Sequence, residues 1–241
     1  MIKLYQFPIS HYCEKIRWTL DYKDIEYEKI NLLPGLHIKT TTRLAKTSSV
    51  PLLIDGDHKI QNSEDIITYL EDKYPQKSLT PKDEVIKQQA LEWEKYADKE
   101  LGIHVRRVCY HILLDRPDIV IPFFTHEGPW YGTLLMKLGF NKLQSKMRYF
   151  MKINDDTFKE SLSRMERAIE KIHNHLQSNA FLAGDEFSRA DLAAASLLAP
   201  LCQADGYGLD WPKNTPKELL EIAEKHEAQL HWVHDFYTKY R

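Results

Sequence analysis

The hydrophobic period of this chain changes once, across Tyr74-Pro75-Gln76-Lys77-Ser78-Leu79-Thr80-Pro81. Two prolines with polar filling suit neither a helix interior nor a central strand, so the stretch reads as a linker. Before it, short apolar runs switch between strand and helix spacing. After it, the spacing is helical almost to the end. Such a chain is expected to join an α/β unit over residues 1–75 to an all-helical unit over 83–241. Strand candidates lie at 2–5, 25–30, 50–54 and 59–61, with an Asp55-Gly56 turn closing a hairpin. Helix candidates lie at 13–20 and 63–73, with a short or irregular helix within 33–49. The order is βαβ, then (α)ββα.

Beyond the linker, residues 83–114 form one long amphipathic segment with a bend at Gly102. Residues 155–176 place Phe158, Leu162, Met165, Ile169 and Ile172 on one helix face. Ser188-Arg189-Ala190-Asp191 reads as a capping box, with Phe187 and Leu192 as its hydrophobic staple. The following run, 192–198, is nearly all apolar and should be buried on every side, with Pro200 kinking or ending it. Helices follow within 216–225 and 229–240. Residues 115–154 carry Pro117, Pro122, Gly128-Pro129, Gly132 and Gly139 and are expected to be irregular.

The 241 residues are 43% hydrophobic and 28% charged, with a net charge of −2. That balance makes no electrostatic case for nucleic acid or a membrane surface. No apolar run approaches the roughly 18–20 residues of a membrane span, and the first residues pattern as strand rather than as a charged-then-apolar leader. Cys13, Cys109 and Cys202 are odd in number and widely spaced, which points to a reducing, cytoplasmic compartment rather than a disulfide framework. The histidines lack the spacing of a metal site, so no metal is expected.

Ser10-His11-Tyr12-Cys13 carries the chemistry. A hydroxyl sits at a strand-to-helix turn and a thiol follows one helical turn later. Free N–H groups and the dipole at a helix start favour an anion. That suits a thiolate, either the protein's own or a ligand's. The plainer alternative is a serine N-cap followed by a buried structural cysteine.

Set in order, the motifs resemble the cytosolic glutathione transferases along the whole chain. Tyr5, Ser10 and Arg17 are similar to the first strand and helix of the omega and zeta classes, where the position of Ser10 holds the catalytic Ser or Cys. Val50-Pro51 resembles the family's Val-Pro with its cis peptide. Gln61-Asn62-Ser63 with Tyr69-Leu70 resembles the Glu/Gln-Ser and Tyr-Leu motif. Phe181-Leu182-Ala183-Gly184-Asp185 leading into Ser188 and Asp191 resembles the folding signature of the helical domain. Asn62 departs from the more usual acid or Gln. Residues 115–154 resemble no standard class.

The resemblance implies a thioredoxin-like domain, an all-helical domain and glutathione as co-substrate. Ser10 would donate to the glutathione thiolate, activating it against a small apolar electrophile, as in detoxification. Lowering a thiol pKa of about 8.5 by about two units takes roughly 2.7 kcal/mol of thiolate stabilisation. Val50 would pair through its main chain with the tripeptide, beside Pro51. Asn62, Ser63 and Glu64 would meet the γ-glutamyl end at a helix start. His37 or Lys39 would meet the glycyl carboxylate. Tyr12, Tyr110, Phe123, Phe124, Trp130 and Tyr131 are candidates for the electrophile pocket, or else ordinary core. A homodimer is also implied. Two other readings stay open: a thiol transferase or isomerase using Cys13, and a non-catalytic binding module.

Overall fold

The computed structural model describes residues 1–241. It begins with β1 (Ile2–Gln6), α1 (His11–Tyr22), β2 (Tyr27–Asn31), α2 (His37–Leu44), β3 (Leu52–Asp55), β4 (His58–Gln61) and α3 (Ser63–Lys73). Helices follow: α4 (Glu84–Tyr96), a π-helical segment (Ala97–Gly102), α5 (Ile103–Leu113), α6 (Pro117–Thr125) and α7 (Gly132–Phe150). The last four are α8 (Asp155–Leu176), α9 (Arg189–Cys202), α10 (Lys217–Lys225) and α11 (Glu227–Tyr240).

The strands form one mixed sheet in the order β2-β1-β3-β4. β1 runs parallel to β2, so the chain needs α1 as a crossover between them. β3 runs antiparallel to both β1 and β4. Ile2, Leu4, Ile16, Leu20, Leu53, Ile66 and Leu70 bury a small core between the sheet, α1 and α3. A thioredoxin-like sheet domain beside an all-helical domain is the architecture expected of the resemblance.

Residues 115–154 are not irregular. They form α6 and α7, folded against each other. Pro117 takes the first helical position, where its missing N–H costs nothing. Gly128 and Pro129 lie in the turn between the helices. Gly132 opens α7 close against Leu33, where a Cβ would stand 3.1 Å from that side chain. Gly139 faces open space. The breakers mark ends and close approaches, which spacing alone cannot distinguish from loop.

Nor does Pro200 end α9, which continues to Cys202 and closes on Gln203 with φ 51°. Proline in the last turn forfeits only the bond to the carbonyl four residues back. The capping box forms as read: Ser188 Oγ accepts from the Ala190 N–H while Asp191 Oδ2 accepts from the Ser188 N–H. α9 is buried on all sides, and its alanines let α1, α4 and the π-helical segment pack close around it.

Trp18 and Ile9 of the sheet domain belong to the large core of the helical domain. The two domains are also tied by buried charge. Lys15 Nζ lies 2.7 Å from Glu94 Oε1, off hydrogen-bond alignment, and 2.9 Å from Asp98 Oδ2. Arg189 donates to the other oxygen of Glu94. Glu94 therefore faces one cation from each domain in a site closed to water. Glu94→Leu leaves the buried Arg189 without a carboxylate and Lys15 with Asp98 alone, and should cost about 3–5 kcal/mol. Urea denaturation checks this, and a loss below about 1 kcal/mol contradicts it.

Candidate active site between the two domains

A cleft of about 730 Å³ opens where the start of α1 faces α5. One wall is polar: Ser10, His11 and His37, with the loop from Thr47 to Val50. The other is mainly apolar, built from Tyr110 of α5, Phe123 of α6, and Leu143 and Met147 of α7.

Ser10 is placed by a buried guanidinium. Arg17 donates to Gln6 Oε1 at 2.7 Å, to the Pro8 carbonyl at 3.1 Å and to the Tyr207 carbonyl at 3.2 Å. Tyr207 in turn donates to the Ile9 carbonyl at 2.7 Å. The β1–α1 turn is thereby held on both sides of its apex. At the helix start, Ser10 Oγ accepts a long bond, 3.4 Å, from the Cys13 N–H. That bond uses a lone pair. The hydroxyl donates no well-formed hydrogen bond within the chain, although it stands near enough to the Cys13 sulfur to lower that thiol's pKa, so Ser10 can cap the helix and still donate to a ligand.

Cys13 is fully buried and does not line the cleft. Burial raises its thiol pKa, against the smaller lowering effects of Ser10 and Arg17. A buried, protonated thiol is not a nucleophile.

Tyr12 lines the cleft with its ring, while its hydroxyl donates to the Asp98 carbonyl at 2.7 Å. Burial raises its pKa, with Asp98 adding to the effect. Gly102 lies against this hydroxyl: a Cβ there would stand 2.2 Å from Tyr12 Oη. Its role is this approach, within a π-helical segment, rather than a bend. His11 sits alongside, its Nε2 3.0 Å from the Gly102 carbonyl. Burial, helped by Arg106, lowers its pKa to about 3, so the ring is neutral and donates there.

On the sheet side, the Val50 N–H and C=O make no hydrogen bond within the chain. The Val50–Pro51 peptide is cis. Gln61 steadies this loop: Nε2 donates to the Thr47 and Ser49 carbonyls at 3.0 and 2.9 Å, and Oε1 accepts from the Thr47 N–H. His37 lines the cleft with its Nδ1 accepting from the Gly35 N–H, and burial lowers its pKa. It is therefore a neutral hydrogen-bonding group, not a cation. Lys39 is exposed and outside the lining.

Ser63 opens α3 just outside the cleft lining. Its Oγ is buried and has no partner. Glu64 follows, its carbonyl accepting from Arg189 at 3.2 Å. Asn62 turns the chain with φ 74°, and its amide donates to Asp65 rather than capping the helix.

Two pocket candidates lie elsewhere. Trp130 is 93% exposed and Tyr131 43% exposed, in the turn before α7, and neither lines the cleft. Phe123 and Phe124 do line it, and the places of Trp130 and Tyr131 are taken by Leu143 and Met147. The α6–α7 pair turns its inner face to the cleft, and aromatic content does not say which face that is.

Sequence reading missed Arg106, the one permanently charged side chain in the lining. It makes no hydrogen bond or ion pair, and its guanidinium lies 6.0 Å from the centre of the Tyr12 ring. A signal was present. Gly102, Arg106 and Tyr110 recur at i, i+4, i+8, so a cation interrupts one face of the helix.

The match to known proteins agrees with this geometry. Residues 4–78 match the model for the glutathione S-transferase N-terminal domain, and residues 139–227 that for the C-terminal domain. Together they take in more than half of the chain, which belongs to the glutathione transferase family. Residues 79–138 fall outside both models. Glutathione S-transferase Z2 of Arabidopsis thaliana is 39% identical over 85 residues, 34% of this chain and 38% of that protein. The match therefore spans under two fifths of that relative's length. Glutathione S-transferase TCHQD of Arabidopsis thaliana is 23% identical over 224 residues, 85% of this chain and 78% of that protein. Among solved structures, the beta-etherase LigF from Sphingobium sp. strain SYK-6 shares the fold. Its TM-score is 0.66 at 18% identity, covering 97% of this chain and 98% of that one.

Gly102→Ala forces Tyr12 out of its place. The expected result is a loss of about 1–3 kcal/mol in stability, as for other overpacked sites, together with weaker ligand binding in the cleft. Urea denaturation and calorimetry with glutathione measure the two effects. An unchanged denaturation midpoint rejects the close-approach role.

Proposed function

We propose that this protein activates the thiol of glutathione for attack on a small electrophile with a largely apolar body. One observation carries the reading. Ser10 presents a free hydroxyl hydrogen at the start of α1, in a cleft whose facing loop offers the unpaired main chain of Val50.

In this reading glutathione lies extended along that loop. Its cysteinyl main chain pairs with Val50, as an added strand pairs with an edge. Its γ-glutamyl carboxylate reaches the first turn of α3, where the N–H groups of Glu64 and Asp65 are free of helical partners. Ser63 supports this placement. A buried hydroxyl without a partner costs about 1–3 kcal/mol, and turning it toward a carboxylate relieves that cost. The neutral His37 serves the glycyl end as a hydrogen-bond donor.

The sulfur then comes to Ser10. Its proton leaves to solvent, and the thiolate is held by the Ser10 O–H and the N-terminal field of α1. The sulfur lone pair forms the new bond to carbon. The pair from the broken bond leaves with the departing group or passes into the acceptor π-system. Tyr110, Phe123 and Leu143 exclude water around the electrophile.

The three unpaired cysteines support a reducing, cytoplasmic setting. The family resemblance supports a homodimer, which light scattering after size exclusion would test. The Cys13 reading finds no support in a fully buried thiol with a raised pKa.

Ser10→Ala removes a hydrogen bond to a charged group, worth about 1.5–3 kcal/mol. The expected loss in kcat/KM is about 10- to 100-fold, with a matching rise in the pKa of bound glutathione, read from thiolate absorbance. Unchanged values exclude Ser10 as the activator. Ser63→Ala should leave that pKa in place and weaken glutathione binding by calorimetry about 5- to 100-fold. No heat of binding to the wild type removes the enzymatic reading altogether and leaves a binding module.

A further inference from the structure

The apolar wall of the cleft contains a charge that the protein does not neutralise. Arg106 projects from the inner face of α5, one turn after Gly102 and one turn before Tyr110. No Asp, Glu or Lys shares the lining. The other arginines that are wholly or partly buried find acceptors. Arg17 and Arg189 bond carboxylates and carbonyls, Arg164 forks onto Glu100, Arg148 onto Asp115, and Arg107 donates to Ser161. Arg106 has no such acceptor, and its guanidinium lies 6.0 Å from the centre of the Tyr12 ring.

A half-buried guanidinium without a counter-ion is costly in apolar surroundings, and the cost is recovered when an anion arrives. Its charge is felt by the groups around it: it helps to lower the pKa of His11 and opposes the rise at Tyr12 and Tyr110. Its neighbours on the wall, Tyr110, Phe123 and Leu143, suit a carbon skeleton. Its planar fork of donors matches the two oxygens of a carboxylate.

We propose that Arg106 is a substrate-anion subsite, and that the preferred electrophile is an aromatic or alkyl body bearing a carboxylate. This rests on the glutathione-activating reading above. Glutathione's own anionic groups are accounted for in that reading: the γ-glutamyl carboxylate at α3, the glycyl carboxylate near His37 and the thiolate at Ser10. None of them occupies the apolar wall. Recognition is then divided, with Ser10 acting on the nucleophile and Arg106 on the electrophile.

The test uses a matched pair: a chloro-nitrobenzoate and its methyl ester, with the S-aryl glutathione conjugate of each. Wild type, Arg106→Gln and Arg106→Lys are assayed for kcat/KM on the pair, and calorimetry gives the affinity for both conjugates. The wild type should favour the acid over the ester by about 10- to 100-fold, the range for a hydrogen-bonded charged pair. The preference should collapse toward unity in Arg106→Gln. It should be intermediate in Arg106→Lys, which keeps the charge and loses the fork.

A wild type without preference for the acid overturns the proposal. So does equal loss on acid and ester in Arg106→Gln, which moves the residue's effect to the thiolate. Ester turnover that still depends on Ser10 would leave thiol activation standing in either case. The conjugate affinities decide the matter even if neither compound is turned over.

Discussion

The position of Ser10 depends on one buried guanidinium. Arg17 satisfies Gln6, Pro8, Glu14 and Tyr207 at once, so the end of β1, the turn and the first helix are held by a single planar group. Glu14 is held in turn by Arg241 at 2.8 Å, which brings the last helix onto the first. Leaving any of these charges unpaired in a closed site would be expensive, which makes the arrangement all-or-none. A hydroxyl aimed by a rigid turn meets a ligand without ordering a loop first.

The cleft is chemically lopsided. It contains no carboxylate, its histidines are neutral, and its free hydrogen-bonding groups are donors and main chain. Such a surface favours anionic and thiolate ligands by leaving positive partial charge uncompensated. The neighbouring Tyr12 offers no second donor to a thiolate. Its hydroxyl is committed to the π-helical segment through Asp98, and its pKa is raised. Hydrogen-bond commitment separates the two hydroxyls.

Much of the fold was legible because local rules agreed with the tertiary solution. The change of period at Pro75–Pro81, the Asp55-Gly56 hairpin and the Ser188–Asp191 capping box all describe interactions within a few residues. The reading failed where a residue's meaning is set by a distant one. Gly102 is required by Tyr12, ninety residues earlier. Gly132 packs closely against Leu33, far earlier in the chain, which would stand 3.1 Å from a Cβ there. Trp130 is exposed while Phe123 is buried, because packing of α6 and α7 decides which aromatic faces inward. The spacing of Arg106 with Gly102 and Tyr110 told which helix face it shares, but not whether an acceptor meets it there.

The sequence by itself determined the α/β-then-helical order, the helix start at Ser10, and the family resemblance carried by Val50-Pro51 and Gln61–Ser63. These follow from periodicity, capping and turn chemistry, which act over short separations. Only the tertiary structure decided which groups are spoken for. It left the Ser10 hydrogen, the Val50 main chain and the Arg106 guanidinium free, and it closed Cys13 away from water. Whether a polar group has a partner depends on what the rest of the chain brings within about 3 Å, and no local pattern encodes that.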